Sequence, residues 1–265
     1  MHLLVSGYSE TLLLVEVGRE GSMRVIERST VPRNLSFLAQ AGEKDRIYAV
    51  QELPEERGAV HVLSLEPVRS VDSRRAGVAS CHLAVSPDRS WLAAANYIDG
   101  TVDLYALDKD GSITDRHWRA AHRGSGPDKV RQERAHAHGA TFSRESDVLY
   151  VCDLGIDTVM RYTVPDDGSS DGTLSGSPVI RTRPGDGPRH LVFNRDHSRG
   201  YVVNELSNTV DVYAPAGQRG GFSLIQSVST LPAGFSEEST AAEIGLHPSG
   251  RYLYASNRGH DSIAV

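Results

Sequence analysis

The stretch RHLVFNRDHSRGYVVNELSNTVDVY, residues 189–213, holds two apolar runs, HLVF and YVVN, parted by a polar turn, and a third, TVDVY, beyond a second turn. Runs this short, rich in Val and Tyr and bounded by Asn, Asp, Ser and Gly, read as β-strands joined by turns. The charges stand at the strand ends: Arg189 heads the first run and Glu205 directly follows the second.

The same layout recurs in CHLAVSPDRSWLAAANYIDGTVDLY (81–105), HGATFSRESDVLYVCDLGIDTVMRY (138–162) and EIGLHPSGRYLYASNRGHDSIAV (243–265). The first strand of each copy ends at Ser86, Ser143, Asn194 or His247, and the second closes ten residues later at Asn96, Asp153, Asn204 or Asn257. The third begins five residues further on, at Thr101, Thr158, Thr209 or Ser262. Fainter copies end at Gln51 and near residue 7. The period is roughly 50 residues, with several strands per repeat and almost no helical periodicity.

An all-β repeat of this length is expected to form a β-propeller, whose blades are small antiparallel sheets set around a channel. A large β-sandwich is the alternative, but accidental similarity does not produce fixed ten- and five-residue intervals. Neither a WD dipeptide nor a kelch diglycine places the chain in those propeller classes. Residues 1–265 are read as a single propeller domain of six copies. The last copy stops midway through its third strand and would leave an open edge, which folded proteins normally cover. The expectation is therefore a propeller truncated in its sixth blade.

Composition narrows the partners. With 265 residues, 39% hydrophobic and 23% charged, the chain can bury a sizeable core, and its net charge of −6 argues against a general nucleic-acid surface. Any anionic ligand would need a local arginine cluster. The two cysteines, Cys81 and Cys152, show no metal-ligand or disulfide spacing. The apolar N-terminal runs lack a basic leader and are broken by SGYSET, and no run reaches the ~18 residues of a membrane span. A cytoplasmic protein without membrane or nucleic-acid partners is expected.

In a blade, the start of the first strand and the end of the second lie on one face of the channel. With a symmetric turn, Arg189 opposes Glu205, His138 opposes Leu154, Cys81 opposes Tyr97 and Ala242 opposes Arg258. His136 and His138 alternate, so an extended strand would aim both to one side, yet no third ligand accompanies them and no metal is expected. His82 and His190 read as satisfied histidines beside the inner strand. The G-x-G-P sequences at 124–127 and 185–188 read as turns, because no helix follows to supply a phosphate cradle.

The segments RQERAHAH, DLGIDTVMRY, GPRHLVF, YVVNELSNTV and AAEIGLHPSGRYLYASNRGHDSIAV together resemble the lactonase family of seven-bladed propellers, from about residue 80 onward. That family includes propeller-type 6-phosphogluconolactonase and fungal carboxy-cis,cis-muconate cyclase. The resemblance implies a cofactor-free site at the channel mouth: His136 or His138 and Glu205 as acid–base residues, and Arg189 and Arg258 holding a small anionic lactone or carboxylate. Hydrolysis of a sugar lactone such as 6-phosphogluconolactone is the first reading, with water activated by a histidine or glutamate. A muconate cyclase needs nearly the same residues, and a non-catalytic binding propeller is the third possibility.

Overall fold

A computed structural model of the chain describes residues 1–40, 46–65, 67–166, 172–216 and 221–265. These form six successive antiparallel sheets, each a blade built outward from the channel. Blade 1 contains His2–Val5, Thr11–Val17 and Met23–Thr30. Blades 2 to 5 are four-stranded, and their inner strands are Leu35–Gln40, Ser80–Val85, Ala137–Phe142 and Pro188–Phe193. A two-residue strand, Gly172–Thr173, adds in parallel to the outer edge of blade 3. Blade 6 comprises Thr240–Leu246, Leu253–Arg258 and Ser262–Ala264. The described residues thus give the expected all-β propeller with six blades.

Both intervals in the repeat have a hydrogen-bond cause. At the first turn the polar residue that ends the inner strand accepts from an amide five residues on: Trp91 N donates to Ser86 Oγ, Val148 N to Ser143 Oγ and Arg199 N to Asn194 Oδ1. At the second turn the closing asparagine donates to the hydroxyl that opens the third strand, linking Asn96 to Thr101, Asn204 to Thr209 and Asn257 to Ser262. Four residues after each closing residue the backbone turns left-handed, at Gly100, Asp157, Asn208 and Asp261. Gly, Asn and Asp tolerate that conformation best. Asp153 has no side-chain amide to donate, and its carboxylate caps the turn of blade 4 by accepting from Gly155 N.

The core lies between blades. Leu104, Trp118 and Val102 of blade 3 pack on Phe142, Val151 and Tyr162 of blade 4, and separate apolar clusters fill the other junctions between neighbouring sheets. Each of blades 2 to 5 therefore buries two faces, which explains the continuous apolar runs WLAAAN and TVDLYAL in blade 3. The described residues include one helical element, the three-residue turn Leu154–Ile156, and no helix long and apolar enough to cross a membrane.

The strand register corrects one expectation. Instead of Arg189 facing Glu205 in the ladder, Pro188 pairs with Asn204 and His190 with Val203, leaving Arg189 as the extra residue of a β-bulge. His138 and Cys81 occupy the same place between Ala137 and Gly139 and between Ser80 and His82, so they do not face Leu154 and Tyr97. Blade 6 has its bulge between Ala241 and Ile244, and Arg258 pairs with Thr240 rather than Ala242. Blade 2 repeats the feature at Ser36. The inner strand carries one residue more than its partner, so a symmetric turn cannot hold the register to the strand end.

The fully buried Leu104 sits between blades 3 and 4. Leu104→Ala is expected to lower the unfolding free energy by about 2–5 kcal/mol in urea titration. Ile263→Ala, at an exposed position of blade 6, is expected to change it by less than about 0.5 kcal/mol.

Candidate functional site

The five bulges place Ser36, Cys81, His138, Arg189 and Ala242 around one mouth of the channel. Glu52, Tyr97, Glu205 and Arg258, at or just after the ends of second strands, and Tyr8, in the turn after His2–Val5, come to the same rim. Together with Arg131 and the next residues inward, Phe37, His190 and Glu243, they line a cavity of about 490 Å³. A bulge suits this task because it breaks the alternation of the pleat and re-aims one side chain.

Glu205 is the centre of charge. Its side chain is 2% exposed and meets three guanidinium groups. Arg189 Nε lies 2.8 Å and Arg258 Nη2 2.9 Å from Oε2, while Arg131 Nη2 donates to Oε1. Burial alone would raise the carboxyl's pKa. The Arg131 hydrogen bond and the charges of Arg258, Arg189 and Arg131 outweigh it and hold the group below the ordinary glutamate range. Glu205 is thus held in its ionised form between the three arginines.

The arginines differ in what they leave free. Arg189 is 15% exposed and also donates to Ala242 O at 2.9 Å. Arg131 and Arg258 are 37% and 53% exposed, so both retain N–H groups for a ligand. Arg131 was not singled out from the sequence, where it is one cation among several in DKVRQER. Its position depends on the buried Gln132, which donates to Leu154 O and Asp157 Oδ1, and on Asp128 Oδ1, which accepts from Arg131 N.

The two candidate histidines part company. His138 lines the cavity, with Nδ1 3.7 Å from Cys81 Sγ and Nε2 3.8 Å from Glu205 Oε2. Burial, then the Arg189 charge, pushes its pKa well below the usual histidine range, so it is neutral near pH 7. His136 precedes the inner strand of blade 4, so the extended-strand expectation of a shared side does not apply. Its Nδ1 meets Tyr97 O at 2.8 Å, its Nε2 meets Glu133 Oε2 at 3.0 Å, and its ring stacks on Tyr97 at 4.3 Å between centroids. His136 does not line the cavity but supports Tyr97, which does.

His82 and His190 lie one residue beyond their bulges. The His82 ring is 4.6 Å from that of His190, which is 5.3 Å from that of His138. Burial drives the pKa of both downward. His190 Nδ1 also meets Glu243 Oε1 at 3.1 Å. The amides of the G-x-G-P turn at 185–188 serve the fold: Gly185 N and Gly187 N both donate to Asp157. No three His, Cys, Asp or Glu side chains among the described residues form a cluster able to hold a metal ion.

Residues 2–265 match the family model described as lactonase, 7-bladed beta-propeller. A 6-phosphogluconolactonase of Bacillus subtilis is 38% identical over 189 residues, 71% of this chain and 52% of the relative. One from Formosa agariphila is 33% identical over 186 residues, 69% of this chain and 52% of the relative. The chain spans about half the length of these curated relatives. Among solved structures, a Lactobacillus plantarum protein is 28% identical with a TM-score of 0.86, covering 99% of this chain and 77% of that one. A periplasmic gluconolactonase of Pseudomonas aeruginosa is 25% identical with a TM-score of 0.85, covering 98% of this chain and 76% of that one.

The depressed pKa of Glu205 fixes a sign. Stability from the ionised form is complete above the ordinary glutamate value of 4.5 and is lost as pH falls through the lower folded-state value. Glu205→Gln is therefore expected to destabilise the protein at pH 7 by about 1–3 kcal/mol, below the full cost of a broken buried pair because Arg131 and Arg258 can turn to solvent. The deficit should shrink in chemical denaturation as pH is lowered from 5 toward 3.

Proposed function

From its membership of the lactonase family of seven-bladed β-propellers, we propose that the chain carries the active site of a lactone hydrolase acting on a sugar lactone with an anionic tail, such as 6-phosphogluconolactone. The observation that carries this reading is the cavity itself: one wall has three arginines around a single buried glutamate, and neutral imidazoles lie beside it. Two relatives bearing the name 6-phosphogluconolactonase support the substrate class.

Arg131 and Arg258, with exposed N–H groups, hold the phosphate, and Arg189 stands behind them on Glu205. Water attacks the lactone carbonyl, an imidazole takes its proton, and negative charge grows on the carbonyl oxygen. Neutral His138 serves as a hydrogen-bond donor to that oxygen, because an N–H at a dry wall is aimed without reorganisation. Glu205 contributes by fixing the arginines and leaves proton transfer to the imidazoles. Glu52 and Glu243 on the cavity lining suit the hydroxyls of a sugar and would repel the extra carboxylates of a carboxymuconate. This favours the lactonase over the cyclase.

Side-by-side turnover of 6-phosphogluconolactone and 3-carboxymuconate tests the assignment, with the expected outcome of hydrolysis of the former above its spontaneous rate. No excess over that rate overturns it. Arg258→Ala should raise KM for the phosphorylated lactone by about 10-fold or more, the scale of a lost charge-assisted hydrogen bond, and leave unphosphorylated gluconolactone nearly unaffected. His138→Asn should lower kcat about 100-fold with the fold intact by circular dichroism.

A further inference from the structure

We infer that His190, oriented by Glu243, is the acid–base residue of this site, taking the proton of the attacking water and returning it to the departing ring oxygen. The inference rests on the lactone-hydrolase reading and identifies which imidazole performs the proton transfer. From the sequence alone His190 reads as a satisfied residue of the inner strand.

The tautomer follows from the partners. A neutral imidazole has one N–H and one lone pair, and the nitrogen facing a carboxylate carries the hydrogen. His190 Nδ1, 3.1 Å from Glu243 Oε1, is therefore the donor, which leaves Nε2 with the lone pair. Arg189 Nη1 lies 3.3 Å from both ring nitrogens, a position over the ring rather than in line with either nitrogen, so it does not occupy that lone pair. His190 is 4% exposed and lines the cavity together with Glu243.

At His138 the carboxylate is further away, 3.8 Å against 3.1 Å at His190, outside hydrogen-bond distance. The His138 Nε2 faces the Glu205 carboxylate and its Nδ1 faces the Cys81 thiol, so the lone pair turns to the thiol and the N–H to the anion side. That nitrogen set suits donation. His190, hydrogen-bonded to its carboxylate and with no thiol at its second nitrogen, is the one fitted to accept a proton, as in any dyad where an acid fixes the tautomer and stabilises the imidazolium.

The seat of His190 is built into the fold. At Gly139, on the neighbouring inner strand, an added Cβ would lie 2.7 Å from His190 Cδ2 and 2.4 Å from Arg189 O, so only glycine lets the ring occupy its place. Glu243 is fixed in turn by its own strand, with Ile244 N donating to Oε1 at 3.0 Å. Two adjacent blades thus hold the pair, and Gly139 from a third makes room for it.

The chemistry balances with water as the only co-reactant. Water oxygen bonds to the carbonyl carbon as its proton passes to Nε2, and the carbonyl π electrons move to oxygen. On collapse the carbon–ring-oxygen bond breaks and the alkoxide takes the proton back from the imidazolium. The product is the hydroxy acid, which ionises to solvent. Between the steps, Glu243 faces a cation for which its charge is suited.

The groups facing His190 are Glu243 and Glu205, which favour its protonated form, Arg189, which opposes it, and the rings of His82 and His138. Glu243→Gln keeps the shape and removes one favourable charge. With 6-phosphogluconolactone as the probe, this variant is expected to lower kcat about 100-fold with KM within threefold of wild type. The acid limb of its kcat/KM profile should move to lower pH. His190→Ala should lose turnover at least as severely and recover part of it with added imidazole. If wild type hydrolyses the lactone while both variants stay within threefold of it with an unmoved acid limb, the inference falls and the lactonase reading stands. A His190→Ala loss that imidazole does not rescue, with an unmoved limb in Glu243→Gln, also overturns it by assigning His190 to packing. Wild type without turnover overturns both.

Discussion

One extra residue at the start of an inner strand governs the site. A strand in perfect register sends alternate side chains to its two faces, and in blades 2 to 5 both faces are packed against neighbouring blades. The bulge releases one residue per blade from that alternation. It turns Cys81, His138 and Arg189 to the mouth while the residues on either side of each remain in the ladder. The blade packing supplies rigidity and the bulge supplies direction, so reactive groups are held without a flexible loop.

Electrostatics then sort the groups. A carboxylate as buried as Glu205 would ordinarily be neutral, and the three guanidiniums reverse this. The same positive charges and the same burial keep the neighbouring imidazoles neutral. The result is an ionised carboxylate beside neutral imidazoles. Arg131 arrives from the loop between blades 3 and 4, Arg189 from blade 5 and Arg258 from blade 6, so the cluster also ties separate parts of the ring to one atom group.

Much of this was legible because repeats amplify weak local signals. The ten- and five-residue intervals reflect turn hydrogen bonds between residues five apart, such as Val148 N to Ser143 Oγ and Asn96 to Thr101, and local chemistry of this kind leaves a trace in every copy. Arg189, Glu205, His138 and Arg258 were legible for the same reason, as departures from the repeat at equivalent positions. His136 was misplaced because alternation assumes a strand, and it lies before one. Arg131 and Glu243 were not legible: each needs partners far along the chain, Glu205 for the one and His190 for the other.

The sequence by itself determined the all-β repeat, the place of the first three strands in the four clear copies and the face on which the polar residues gather, because these follow from apolar periodicity and turn chemistry within about 25 residues. The tertiary structure alone decided which charges meet, which carboxylate is held ionised and which histidine is hydrogen-bonded to a carboxylate. Those properties depend on distances of 3–4 Å between residues of different blades and on the loss of water around them, and no local pattern in the chain encodes either.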